Sequence, residues 1–150
     1  MENRVTRQFT KGQTILLEGT PGDSTFRILS GEVIVCKKSD AGEQVPIAKL
    51  GEGEMFGEMY LFNTNLNRTA SVIALSSDVD LEVLPQDEVR AMMTGLHPAI
   101  NRIFEGLCMR LQKVSTKYVQ TVAAQKAQTR TASGPTAADS NTYIHRPPVE

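Results

Sequence analysis

From residue 9 to residue 84 the chain alternates short apolar, β-branched runs with glycine-centred breaks: TILLEG, TFRILSGEVIVCKK, VPIAKL, RTASVIAL and VDLEVL. Period-two patterning bounded by turn residues predicts strands. The breaks at Gly12, Gly19, Pro21-Gly22, Gly31, Asp40-Ala41-Gly42, Gly51 and Gly53 recur too closely for crossover helices. They predict a compact antiparallel β-roll or jelly-roll barrel over a parallel α/β sheet. Within FRILSGEVIV, Phe26, Ile28, Val33 and Val35 can face a core while Ser30-Gly31 turns the chain between two strands.

After LEVL the pattern becomes helical. Pro85 suits a first helical position, Asp87 and Glu88 suit the positive N-terminal end, and Gly95 suits a stop, which predicts one short helix. A longer helix is predicted from Pro98 to about Gln128, where Ile100, Phe104, Leu107, Leu111, Val114 and Tyr118 recur at alternating spacings of four and three. So narrow a seam serves either packing within the chain or a coiled-coil homodimer. The remaining stretch is rich in Ser, Thr, Ala and Pro without an apolar period. It predicts a disordered tail over 129–150 behind a domain of residues 1–128, with Tyr143 and Ile144 either a chance apolar pair or a docking peptide.

Composition narrows the class. A chain of 150 residues with 40% hydrophobic and 22% charged side chains is expected to be one soluble domain, with no apolar run long enough to span a membrane. MENRVTRQF lacks the apolar centre of a signal peptide, and Cys36 and Cys108 are too few for a disulfide framework. A cytoplasmic location with buried free thiols is the expectation. The formal net charge of -1 argues against a direct nucleic-acid partner. His97 and His145, without a Cys/His cluster of zinc spacing, argue against a metal. Neither a nucleophile with its general base nor a paired acid and base is visible, so the chain is not expected to be an enzyme, and a cupin-type metal barrel is disfavoured.

The stretch FGEMYLFNTNLNRTASV carries the distinctive chemistry. Gly57 permits a tight turn or a close backbone approach, and MYLF is long enough for one helical turn with free N–H groups at its start. With Arg68 delivered from the next strand, these groups suit a compact anion such as a phosphate. Glu58 would repel that anion, so it is expected to accept hydrogen bonds from ligand hydroxyls or to orient Arg68. A ligand with one phosphate charge, a nearby hydroxyl and an apolar body meets both demands, as a cyclic nucleotide does. The competing reading is an ordinary Glu58–Arg68 ion pair, worth about 0 to 1 kcal/mol if exposed.

Three segments, EGTPGDSTFRILSGEVIV, LGEGEMFGEMYLF and NRTASVIAL, resemble the cyclic-nucleotide-binding domain family shared by the catabolite activator protein, cyclic-nucleotide-dependent kinases and gated channels. The resemblance extends over residues 9–128, and the interval from Glu58 to Arg68 is ten positions, as in the catabolite activator type. It implies a phosphate-binding cassette in which Phe56, Gly57, Met59 and Ala70 frame the cyclic phosphate, Arg68 pairs with it, Glu58 takes the ribose hydroxyl, and Thr69 touches phosphate or base. Gly22, Gly31 and Gly51 match the family's turn glycines. Tyr60 departs from the pattern, since the family usually carries a small residue there; its ring can point outward, act as a lid or obstruct the nucleotide. MRLQKVSTKYV resembles the activator's dimerisation helix, which places Arg110, Ser115 and Thr116 near the base, although a solvated helix face is the plain alternative. The stretch after Gln128 is not helix-patterned, so a DNA-reading unit is not expected within it. The implied function is a cAMP or cGMP sensor, without a further cofactor, that moves its long helix, dimerises or engages an effector protein. The alternative is a fold that has lost its nucleotide and serves as an interaction module.

Overall fold

The computed structural model describes residues 4–62 and 65–132. Eight strands form two four-stranded antiparallel sheets. The first contains β1 (Val5–Thr10), β8 (Asp78–Pro85), β3 (Ser24–Ser30) and β6 (Met55–Phe56) in that order; the second contains β2 (Thr14–Leu16), β7 (Ser71–Ala74), β4 (Val33–Lys38) and β5 (Gln44–Leu50). A 3-10 turn (Met59–Phe62) follows β6, and two helices, α1 (Gln86–Thr94) and α2 (Pro98–Ala132), follow the roll.

The apolar alternation does the work expected of it. Phe26, Ile28 and Val33 join Leu16, Phe56, Val72, Ala74, Val79 and Leu81 in one buried core between the sheets, while Val35 packs at its edge. Ser30-Gly31 joins strands of different sheets, so it forms a corner and not a hairpin within one sheet. Gly31 has φ 85°, and a Cβ there would lie 2.4 Å from the Asp78 carbonyl oxygen, which only glycine avoids. β1 lay outside the strand-like runs because its side chains are largely exposed and lack apolar alternation; its register along β8 holds it in the sheet.

The helices differ from expectation in their ends. Pro85 closes β8 and caps α1 from outside with ψ 150°, so helix begins at Gln86; Asp87 and Glu88 occupy its first turn and Gly95 its C-cap. Proline's ring fixes φ without requiring a helical ψ, which lets it serve this junction. α2 continues to Ala132, so residues 129–132 of the expected tail are helical. The Thr129 and Thr131 hydroxyls donate to the Gln125 and Ala127 carbonyls one turn back, and Arg130 meets the negative helix end. The rest of that tail, with Tyr143 and Ile144, lies outside the described residues.

The expected α2 seam does not bury itself on the roll. Ile100, Phe104, Leu107, Leu111, Val114 and Tyr118 are all exposed, and the buried residue of α2 is Val119. Cys36 and Cys108 are free thiols; Cys36 is buried, whereas Cys108 is only half-buried. No helix among the described residues is long and apolar enough to cross a membrane.

Candidate ligand-binding site

β6 ends at Phe56, whose ring stacks on Phe26 with centroids 5.3 Å apart and fixes the start of the cassette in the core. Gly57 then takes φ 81°, and a Cβ there would press on Arg68 Nη1 and Leu16 Cδ1 at 3.0 Å each. Glycine therefore supplies both the backbone hand and the room for the arginine. Glu58 leads into the 3-10 turn, with the Leu61 N–H donating to the Glu58 carbonyl at 3.0 Å.

Arg68 is the buried charge of this region, 5% exposed. Nη1 donates to the Ser24 carbonyl at 2.7 Å and the Gly57 carbonyl at 2.6 Å, tying the guanidinium to β3 and to the cassette turn. Nη2 lies 3.5 Å from Ser24 Oγ and 3.6 Å from Asp23 Oδ1. Asp23 is almost wholly in water, so that ion pair is weak. Burial pulls the Arg68 pKa down, while Tyr60, Asp23 and Glu58 push it back up. Glu58 is shifted upward, chiefly by burial, against the opposing pull of its own backbone N–H and of Arg68. The two residues thus sense one another across a desolvated space, without a Glu58–Arg68 salt bridge among the described contacts.

Tyr60 does not point outward. Its side chain is 1% exposed and its ring centroid lies 4.7 Å from the Arg68 guanidinium carbon, a cation–π stack. The space it fills exists because residue 22 is glycine: a Cβ on Gly22 would fall 2.4 Å from the Tyr60 ring. The tyrosine hydroxyl is buried beside Thr25 with neither hydroxyl in hydrogen-bond geometry.

Beside this arrangement a cleft of about 260 Å³ opens between the roll and α2. Phe56, Gly57, Glu58, Met59, Tyr60, Arg68, Thr69, Ala70 and Ser115 all line it. Arg110 and Thr116 do not. Arg110 folds back to donate from Nε to the Gly106 carbonyl of its own helix, and Thr116 is exposed. The helical period gives the reason: Leu111, Gln112 and Ser115 share the face turned to the cleft, and residues 110 and 116 flank it. Gln112 and Leu111 were legible as the residues one turn before Ser115. Lys37 was missed as well: it continues the inward face of β4 through Val33 and Val35, and its ammonium donates to the Thr69 carbonyl at 2.7 Å and to Glu18 at 3.1 Å. Apolar walls come from Leu16, Val35, Ile47, Leu50 and Val72. Glu58 also raises the pKa of the Cys108 thiol, second to burial, so α2 lies within electrostatic reach of the cassette.

A buried guanidinium at one end, a carboxylate beside it and apolar strands along the body make a cleft for a small amphipathic anion. The family model described as "Cyclic nucleotide-binding domain" matches residues 6–95, a span that covers the roll, the cassette and α1. The chain belongs to that family. It is 36% identical over 90 residues to a cGMP-dependent protein kinase, isozyme 1, of Drosophila melanogaster, covering 59% of this chain and 12% of the kinase. It is 26% identical over 107 residues to a CRP-like cAMP-activated global transcriptional regulator of Mycobacterium tuberculosis, covering 71% of this chain and 47% of the regulator. Among solved structures, the EAL enzyme Bd1971 in its cAMP-bound form matches with TM-score 0.67 and 31% identity, over 83% of this chain and 31% of that one. The chain therefore spans less than half of these relatives, each of which joins the shared domain to further sequence.

Proposed function

We propose that this cyclic nucleotide-binding domain binds a purine 3',5'-cyclic nucleotide, cAMP or cGMP, in the cleft and acts as a regulatory sensor, not a catalyst. The carrying observation is Arg68: a guanidinium almost out of water, with Nη1 spent on two protein carbonyls and Nε uncommitted among the described residues. A desolvated cation so placed recovers most from a ligand phosphate. In this reading Gly57, Thr69 and Ala70 surround the phosphate and Glu58 accepts from the ribose hydroxyl. The base extends between Val35 and Ile47 on one side and the α2 face of Leu111, Gln112 and Ser115 on the other.

The signal leaves through α2, which packs on β4, β5 and the 3-10 turn and so feels whatever fills the cleft. Ligand contacts on both the roll and α2 would favour one position of the helix over another. The exposed α2 seam supports a homodimer as the form in which that movement is read. Ultracentrifugation showing a monomer at high concentration, with and without nucleotide, would remove that part of the reading.

Thermal melting in cAMP, cGMP and 5'-AMP tests the binding itself. A cyclic nucleotide at a hundred times its Kd should stabilise the chain by about 2.7 kcal/mol while 5'-AMP does far less. A folded, nucleotide-free chain whose melting temperature ignores both cyclic nucleotides would instead favour a ligand-free interaction module.

A further inference from the structure

We propose that Lys37 reads the base and makes the cleft prefer guanine to adenine, so that the ligand is cGMP over cAMP. The inference rests on the cyclic-nucleotide reading above and adds which purine the site selects. Among the described residues Lys37 is the cation on the wall of the cleft other than Arg68, and its side chain is 16% exposed. Two of its ammonium protons are placed, one on Glu18 Oε1 and one on the Thr69 carbonyl. The third has no partner among the described residues.

Position decides what that group meets. Bonded to the Thr69 carbonyl, Lys37 shares the strand wall with Val35 and Ile47, along which the base would lie. Chemistry decides what it prefers. An ammonium donates and never accepts. Guanine offers O6 and N7, two acceptors on one edge, whereas adenine offers N7 beside an N6 amino donor that would face the ammonium. The other polar groups near the base path, Gln112 and Ser115, each donate and accept, so they discriminate little. Glu18 could have favoured the adenine amino group. It is not on the cleft wall, and its two carboxylate oxygens are occupied by Lys37 and by the Lys38 N–H. The donor Lys37 lines the cleft and the acceptor Glu18 does not, so an adenine amino group is disfavoured there as a guanine carbonyl is favoured.

Calorimetric titration of the full chain with cGMP, cAMP and cIMP, the last keeping O6 and N7 but lacking the guanine 2-amino group, tests the assignment. The wild type should bind cGMP and cIMP about tenfold more tightly than cAMP. Lys37→Met and Lys37→Gln, checked for folding by circular dichroism, should each weaken cGMP and cIMP about tenfold more than cAMP, and Lys37→Gln can still donate to the Thr69 carbonyl. Three results would overturn the proposal. Equal or tighter cAMP binding by the wild type is one; cIMP behaving like cAMP is another, since selectivity would then come from the 2-amino group. The third is an equal loss for all three nucleotides in the folded variants, which would leave Lys37 as a clamp on Thr69. Binding of none of the three by the wild type would reject the cyclic-nucleotide reading itself, a result distinct from the other three.

Discussion

The two walls of the cleft are held by different physics. On the roll side every element is over-determined: Arg68 is tied to two carbonyls, sandwiched against Tyr60 and backed by the Phe26–Phe56 stack. On the α2 side, Leu111 lines the cleft while 54% exposed, and the helix buries only Val119. The first wall is set before any ligand arrives. The second wall has little buried area holding it, and in the proposed function its position is what a ligand, or a second copy of the chain, would set. The proposed sensor would need that division, because a helix anchored as firmly as the roll could not respond and a roll as loose as the helix could not bind.

The sharpest way to break the contrast is to loosen the roll wall. Tyr60→Ala removes a ring that is 1% exposed and should cost about 3 to 5 kcal/mol of stability in denaturant unfolding. Tyr60→Phe should cost much less, because the hydroxyl has no hydrogen-bond partner among the described residues. Gly22→Ala attacks the same contact from the other side and should destabilise by about 1 to 3 kcal/mol, since its Cβ would overlap the Tyr60 ring. If Gly22→Ala in the Tyr60→Ala background costs nothing further, the two positions form one unit.

Glu58 offers a smaller and pH-dependent test. Burial raises its pKa in the folded chain, so the fold holds the proton more tightly than the unfolded chain does. That contribution to stability is complete below the ordinary glutamate value and is lost as pH rises through the raised value. Glu58→Gln should therefore melt higher than the wild type at pH 7 and lose that advantage once pH falls below about 4. The same variant should bind the nucleotide more weakly, setting stability against affinity. The smallest effect belongs to α2. Leu107→Ser and Val114→Ser lie on exposed positions and should change monomer stability by less than about 0.5 kcal/mol, while shifting sedimentation toward monomer.

The same contrast explains which parts were legible in the chain. Strands and core followed from period-two alternation, since Phe26, Ile28 and Val33 each bury a side chain against the opposite sheet. Local signals also placed the 3-10 turn and brought Gly57, Glu58 and Arg68 to one cleft. The placement of Tyr60 was not legible, because it depends on an absent side chain at Gly22 in a distant loop. On α2 the difference from the sequence reading is rotational: the cleft-facing side and the exposed seam overlap at Leu111, and sequence spacing alone does not say which side meets the roll. Lys37 could have been read from the alternation Val33, Val35, Lys37. That signal is weak, since a lysine at the end of a strand ordinarily faces water.

The central claim is that a cyclic nucleotide enters the cleft and rests its phosphate on Arg68. Calorimetric titration of nucleotide-free protein with cAMP and cGMP, beside the Arg68→Ala variant, tests it directly. The account predicts saturable binding by the wild type and a loss of about 2 to 5 kcal/mol of binding free energy in a variant that still folds. Binding of equal strength in wild type and variant, or none by a folded wild type, would contradict it.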